Sequence, residues 1–207
     1  MDESKISEQE GLRIIGSMIT STKTRLEVGD GNVFLNWGLL SVILGLLVWI
    51  GVEVFQGEWP NLLWLLMLTG FFFDRKRKRQ QDERGYRSYT DVLLGKIWKV
   101  VWIVGIATAV SCGLLFAITG NANCWFACML FAFIMVGLGS SFTGAVLKVN
   151  SMVWGGAFSG FCGMFLIGYR LSGLYVYNWM LMPMFILSFL FMMVIPGLQI
   201  RKRAKHK

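Results

Sequence analysis

Six stretches of this chain are apolar over membrane-crossing lengths, and nearly all of its charge lies between or beside them. They run over about 33–54, 57–73, 97–119, 122–147, 152–169 and 176–198. A helix needs about 20 mostly apolar residues to cross the hydrocarbon of a bilayer. The pattern therefore predicts an all-α, polytopic membrane helix bundle: six transmembrane helices in three hairpins, preceded by a cytoplasmic amphipathic helix. Composition agrees, since only 15% of the 207 residues are charged while 55% are hydrophobic and 14% aromatic. A soluble domain carries nearer a quarter charged residues.

Mapping the charge gives an orientation. The junction FFFDRKRKRQQDERGYR, residues 71–87, runs from three phenylalanines straight into Arg75, Lys76, Arg77, Lys78 and Arg79. With the spans alternating, one side of the membrane receives eighteen Lys and Arg, from residues 1–32, the loop 74–96, Lys148 and the tail 199–207; the other receives Arg170 alone, before Lys99 is assigned. Short basic loops stay in the cytoplasm, so both termini are expected there. The five-residue run reads as a stop-transfer signal that also favours anionic headgroups, at about 1 kcal/mol per basic side chain near the surface. Nucleic acid is not the expected partner, because the run is tethered to the membrane and lacks aromatic interleaving or a recognition fold. The N-terminus MDESKISEQE has no basic region leading into a short apolar core, so the first span is expected to stay as an anchor.

Residues 1–32 form the cytoplasmic N-terminal unit. Ser7 and Glu10 have capping-box spacing, and Leu12, Ile15, Ile19, Thr22 and Leu26 recur at helical intervals with Arg13, Lys23 and Arg25 facing elsewhere. This predicts an amphipathic helix that lies on the lipid surface or docks a protein partner, with VGDGN (Val28–Asn32) as the turn into span one. Ser88 and Asp91 repeat the capping spacing ahead of span three and predict a cytoplasmic extension of that helix. Gly120 and Asn121 suit a tight reversal between spans three and four.

The most patterned region is Gly137 to Gly163, GLGSSFTGAVLKVNSMVWGGAFSGFCG. Gly139 with Thr143, Ser140 with Gly144, Gly156 with Gly160, and Gly155, Ser159 and Gly163 are spaced by four, which puts small residues on one helix face where backbones approach closely. The plain reading is tight packing of spans four and five. The sharper one is a cavity or a sliding contact.

Catalytic chemistry is not expected. AFSG (Ala157–Gly160) resembles the serine turn of intramembrane serine proteases, but Ala157 replaces the glycine two before the serine, and the sole histidine, His206, lies in the tail. A serine without a base is a poor nucleophile. Cys112, Cys124, Cys128 and Cys162 read as small packing residues, with a Cys112 bridge to Cys124 or Cys128 open, and there are too few nitrogen and sulfur ligands for a metal. No cofactor is expected. A transporter usually shows ionisable groups inside its bundle. The candidates are Glu53 and Arg170, at the outer ends of spans one and five, where they either pair or meet water.

Four motifs carry a resemblance. EGLRIIGSMITSTKTRLE precedes GNVFLNWG at the start of span one, TDVLLGKIW opens span three, GSSFTGAVLKVNSMVWGG bridges spans four and five, and VIPG ends span six before a basic tail. Together these make the chain similar to a group of uncharacterised bacterial six-span membrane proteins with an amphipathic N-terminal helix. The resemblance implies an integral protein of the bacterial inner membrane with little extramembrane mass. It also implies a genetic neighbourhood with small winged-helix regulators, hence a stress or envelope role.

The expected function is that of a non-enzymatic accessory or sensor component acting through its cytoplasmic face. The alternative is a small oligomeric transporter or channel built on the glycine-rich spans four and five. A lipid-acting enzyme has almost no support in the residues.

Overall fold

The computed structural model describes residues 8–57, 59–70 and 89–205, and among them no strand occurs. The basic run Arg75, Lys76, Arg77, Lys78 and Arg79, with its headgroup assignment, lies outside the described residues, as do Ser7 and Ser88 of the two capping boxes. Five helices are long and apolar enough to cross a membrane, where the sequence predicts six.

Helix α1 spans Glu8–Phe55 without a break, 48 residues or about 72 Å of helix at 1.5 Å per residue. The turn expected at Val28–Asn32 is helical instead. Gly29 and Gly31 each weaken a helix by about 1 kcal/mol relative to Ala, but a glycine keeps its N–H and adopts right-handed dihedrals, so it does not force a stop as proline would. The apolar part, Val33–Phe55, is preceded by 25 further helical residues.

The second expected span, 57–73, is described as a 3-10 helix over Trp59–Thr69, 11 residues long and too short to qualify as a crossing helix on its own. It follows a left-handed turn at Gln56 (φ 47°) and runs back along α1. Pro60 sits against Gly51, where an added Cβ would be 2.8 Å from the proline Cβ, and Gly70 sits on the Trp37 ring. Between those contacts α1 advances about 21 Å over fourteen residues at 1.5 Å each, and the 3-10 chain about 20 Å over ten at 2.0 Å each. The stretched helix thus lets ten residues match the depth of fourteen, which is why this apolar stretch is so short. The Ser41 hydroxyl reaches the Met67 sulfur at 3.9 Å between the two ends.

Helix α2, Tyr89–Thr119, begins before the apolar stretch, as the expected extension requires. It reverses through Gly120 (φ +66°) and Asn121, whose side chain accepts from the Asn123 N–H at 3.0 Å, so the predicted tight turn is present. Helix α3 runs over Ala122–Leu147 and contains a π turn at Ala132–Val136. Helix α4 is Asn150–Leu171. Helix α5 consists of Asn178–Phe189, a π turn at Leu190–Val194, and Ile195–Lys205. The VIPG stop is therefore not a stop. Pro196 lies in the helix and the chain continues helical into the basic tail.

Helix α5 is the axis of the bundle. It packs antiparallel on α1 on one side and on α4 on the other, and carries Phe185, Phe189, Met192 and Met193 into the main core. The α1 contact uses a face of small residues: a Cβ on Gly38 would lie 2.8 Å from the Met193 Cβ, and one on Gly45 would lie 3.2 Å from the Phe185 ring. The 3-10 helix joins through Trp64, whose ring meets Phe185 edge-on at 5.2 Å. Helix α2 is peripheral, with Val100, Ile103, Ile106, Val110 and Leu114 exposed along it.

Candidate functional site: a seam of small residues between two π turns

Helices α3 and α4 form an antiparallel hairpin whose turn is set by Lys148, in the left-handed region at φ 56°. The Val149 N–H reaches back to the Gly144 carbonyl at 2.8 Å and the Lys148 N–H to Ala145 at 3.3 Å, closing the last turn of α3 by the usual left-handed helix stop. Glycine is the common residue there because it has no Cβ to clash, so Lys148 occupies the position at a steric cost.

From that turn outward the small residues interlock. A Cβ on Gly144 would sit 2.7 Å from the Val153 nitrogen, and one on Gly137 would sit 2.9 Å from the Gly156 carbonyl. Gly156 faces the Gly137 carbonyl and Ser141 in return, and Gly163 leaves room for Ile134, 2.6 Å from a would-be Cβ. Gly155 points the other way, onto the Phe191 carbonyl in the π turn of α5. Gly139 serves a third contact, with Val101 of α2 at 3.1 Å. Gly160, expected to share a packing face with Gly156, directs the place of a Cβ into open space, although its backbone nitrogen lies against Gly137, 3.3 Å from a Cβ added there.

The hydroxyls of Ser140, Ser141, Thr143 and Ser159 are turned onto backbone carbonyls. Ser140 donates to Met192 at 2.8 Å and Ser159 donates to Phe133 at 2.8 Å, and both serines are fully buried. Met192 and Phe133 each lie in a π turn. The Met192 carbonyl is the acceptor that the residue four further on would ordinarily fill, and that residue is Pro196, which has no N–H. In α3 the Gly137 N–H, which a regular α-helix would aim at Phe133, bonds the Ile134 carbonyl instead. Each irregular turn thus presents a carbonyl that a serine from a neighbouring helix takes up. Ser141 donates to Val153 at 3.0 Å, while Thr143 donates to Gly139 at 2.7 Å and accepts from the Trp98 indole at 3.2 Å. Trp98 therefore ties α2 to α3 rather than only facing the membrane boundary.

Of the polar residues considered for transport, Glu53 is exposed, and Arg170 is exposed with its guanidinium over the Tyr175 ring at 5.8 Å. The structure pairs Arg170 with an aromatic face and not with Glu53. Among the described residues no group of three or more His, Cys, Asp or Glu side chains could hold a metal ion. All four cysteines are free. Three of them meet where α2 and α3 approach: the Cys112 sulfur faces the Cys124 carbonyl at 3.1 Å, the Cys124 sulfur faces the Cys112 carbonyl at 3.3 Å, and the Cys128 sulfur lies 3.7 Å from that of Cys112.

Sequence reasoning passed over the Gly38, Ser41 and Gly45 face of α1, although its spacing of three and four was a readable signal. It also passed over the consequence of Pro196, since a proline inside an apolar span leaves one carbonyl without its usual backbone donor. No protein-family model, no curated protein and no solved structure matches the chain, so the likeness to bacterial six-span proteins rests on its motifs alone.

Proposed function

We propose that this protein is an accessory or sensor component of a bacterial inner membrane, with both termini cytoplasmic, that acts through a helix projecting from the membrane rather than through a site within it. The observation that carries this reading is α1: one unbroken helix in which Val33–Phe55 is apolar enough to cross a membrane and the 25 residues before it are not part of that stretch. A continuous helix transmits rotation or displacement along its length, which a flexible turn would absorb. The Lys and Arg distribution supports the orientation, because the α1 extension, the start of α2 and the end of α5 fall on the basic side. The apolar periodicity of Leu12, Ile15, Ile19 and Leu26 gives the extension a docking face for protein or for lipid.

The transport alternative draws less support. Gly137, Gly144, Gly155 and Gly156 are taken up by backbone contacts, Gly163 by the Ile134 side chain, and Ser140, Ser141, Thr143 and Ser159 by carbonyls, which leaves little in spans four and five to line a passage.

The test is mild extraction in native lipid through a tag on the tail, with identification of what co-purifies, alongside Ile15→Asp/Ile19→Asp. A stoichiometric partner lost in the variant is the expected result. A lipid-only oligomer unaffected by the substitutions would overturn the reading and move attention to flux assays with Glu53→Gln and Arg170→Ala.

A further inference from the structure

Helix α2 is the least buried of the long helices. At one end it is held by the Trp98 bond to Thr143, and midway by Gly105, where a Cβ would be 2.9 Å from the Phe131 ring. A further contact, near the Gly120–Asn121 reversal, is the cysteine cluster. Its geometry is selective. Cys112 and Cys124 each direct sulfur at the other's carbonyl, whereas the sulfur in contact with Cys112 is that of Cys128, 3.7 Å away. The three sulfurs thus do not converge on a common centre, as a metal would require, but one pair is already placed for a covalent bond. A disulfide needs the sulfurs at about 2.05 Å, so this pair has to close from 3.7 Å. Cys162, on α4, is buried and apart from the cluster.

We propose that Cys112 and Cys128 are a disulfide-forming pair that accepts oxidising equivalents from a small or protein disulfide and thereby fastens α2 to α3. One thiol of the pair, deprotonated, attacks one sulfur of the donor and expels the first thiol. The other, having released its proton, then attacks the mixed disulfide at the first cysteine's sulfur and expels the second. Two protein thiols are oxidised, one donor disulfide is reduced to two thiols, and no further reactant is needed. In the orientation proposed above, this end of the hairpin faces the outer compartment, where disulfides persist. The pairing itself does not depend on that orientation.

The experiment uses the full chain in lipid nanodiscs, reduced, freed of reductant and then exposed to hydroxyethyl disulfide, a small permeant donor. Remaining thiols are blocked with a maleimide and the peptides are read by mass spectrometry. The expected product is a single internal Cys112–Cys128 link, reversed by dithiothreitol, with Cys124 and Cys162 recovered as maleimide adducts. Cys128→Ala, which removes one sulfur at a half-buried position, is expected to abolish the link while its near-native elution and helical content show that it folds. Hydroxyethyl adducts on separate cysteines, an internal link through Cys124, or four maleimide adducts after full exposure would each overturn the pairing.

Discussion

The Ser140 hydroxyl donates to the Met192 carbonyl at 2.8 Å across the α3–α5 contact. It fills the place of the backbone donor that Pro196 lacks, four residues further along α5. A hydrogen bond between helices of this kind is worth about 0.6 kcal/mol on average and less than about 2 kcal/mol at best. Its fully buried position puts Ser140 toward the upper end. We expect Ser140→Ala to destabilise the protein by about 1–2 kcal/mol. In a Pro196→Ala background, where a backbone N–H is available again, the same change should cost less. Thermal denaturation of the two single variants and the double variant in detergent measures this coupling, and strictly additive effects would show that the serine does not stand in for the missing donor.

Gly155 and Gly160 are five residues apart on α4 and differ in what an added methyl would meet. At Gly155 it meets the Phe191 carbonyl, a backbone group fixed by its own helix, and at Gly160 it meets open space. Gly155→Ala is expected to cost about 2–3 kcal/mol by overpacking. Gly160→Ala should be neutral or stabilising by up to about 1 kcal/mol, because alanine favours helix. Comparing the melting temperatures of the pair against wild type tests both signs at once.

Lys148 holds a left-handed conformation that glycine adopts without strain. Lys148→Gly should therefore raise stability by about 0.5–1 kcal/mol, the relief of strain exceeding the added freedom of the unfolded chain. A lower melting temperature would mean that the lysine side chain contributes a contact at that turn.

Neutralising Arg75, Lys76, Arg77, Lys78 and Arg79 to Gln leaves thirteen Lys and Arg on the basic side against Arg170 on the other, with Lys99 still unassigned. The remaining bias is large, so the orientation should hold. A reporter fused to the tail, active only in the cytoplasm, is expected to keep its signal, and loss of that signal would show that the five-residue run alone fixes the topology.

The four long stretches after the first hairpin were legible because length and hydropathy are local properties. Their observed bounds, such as Ala122–Leu147 and Asn150–Leu171, fall close to the expected ones. The Gly120–Asn121 reversal was legible for the same reason, since left-handed backbone and side-chain capping belong to those residues alone. Val28–Asn32 misled because two glycines lower helix propensity without forbidding it, and the helical stretches on both sides carry the helix through. The 57–73 stretch is apolar as expected, but hydropathy does not report the type of helix, and its described part is an 11-residue 3-10 helix, Trp59–Thr69, outside the five long spans.

The candidate seam divides in the same way. Four-residue spacing marked Gly144, Gly155, Gly156 and Gly163, each of which lies in a close approach, but did not mark Gly137, which lies in another. Spacing could not say which partner each glycine faces, nor that a Cβ on Gly160 would meet open space, because that depends on crossing geometry set by residues on three helices. The cysteines show the same limit, since nothing local chooses Cys128 over Cys124 as the neighbour of the Cys112 sulfur.

The sequence by itself determined the composition class, the apolar spans, the charge asymmetry and the tight turns, all of which follow from residues acting on their own backbone and on their solvent. Tertiary structure decided that α5 is the central helix, that a 3-10 stretch covers the depth of a longer α-helix, and that buried serines supply hydrogen bonds to two π turns. Those are choices between helices. In a bundle of this composition apolar surface is everywhere, so hydrophobicity cannot rank one pairing over another. The fit of small residues against carbonyls, with serine donors at the Met192 and Phe133 carbonyls, makes that choice.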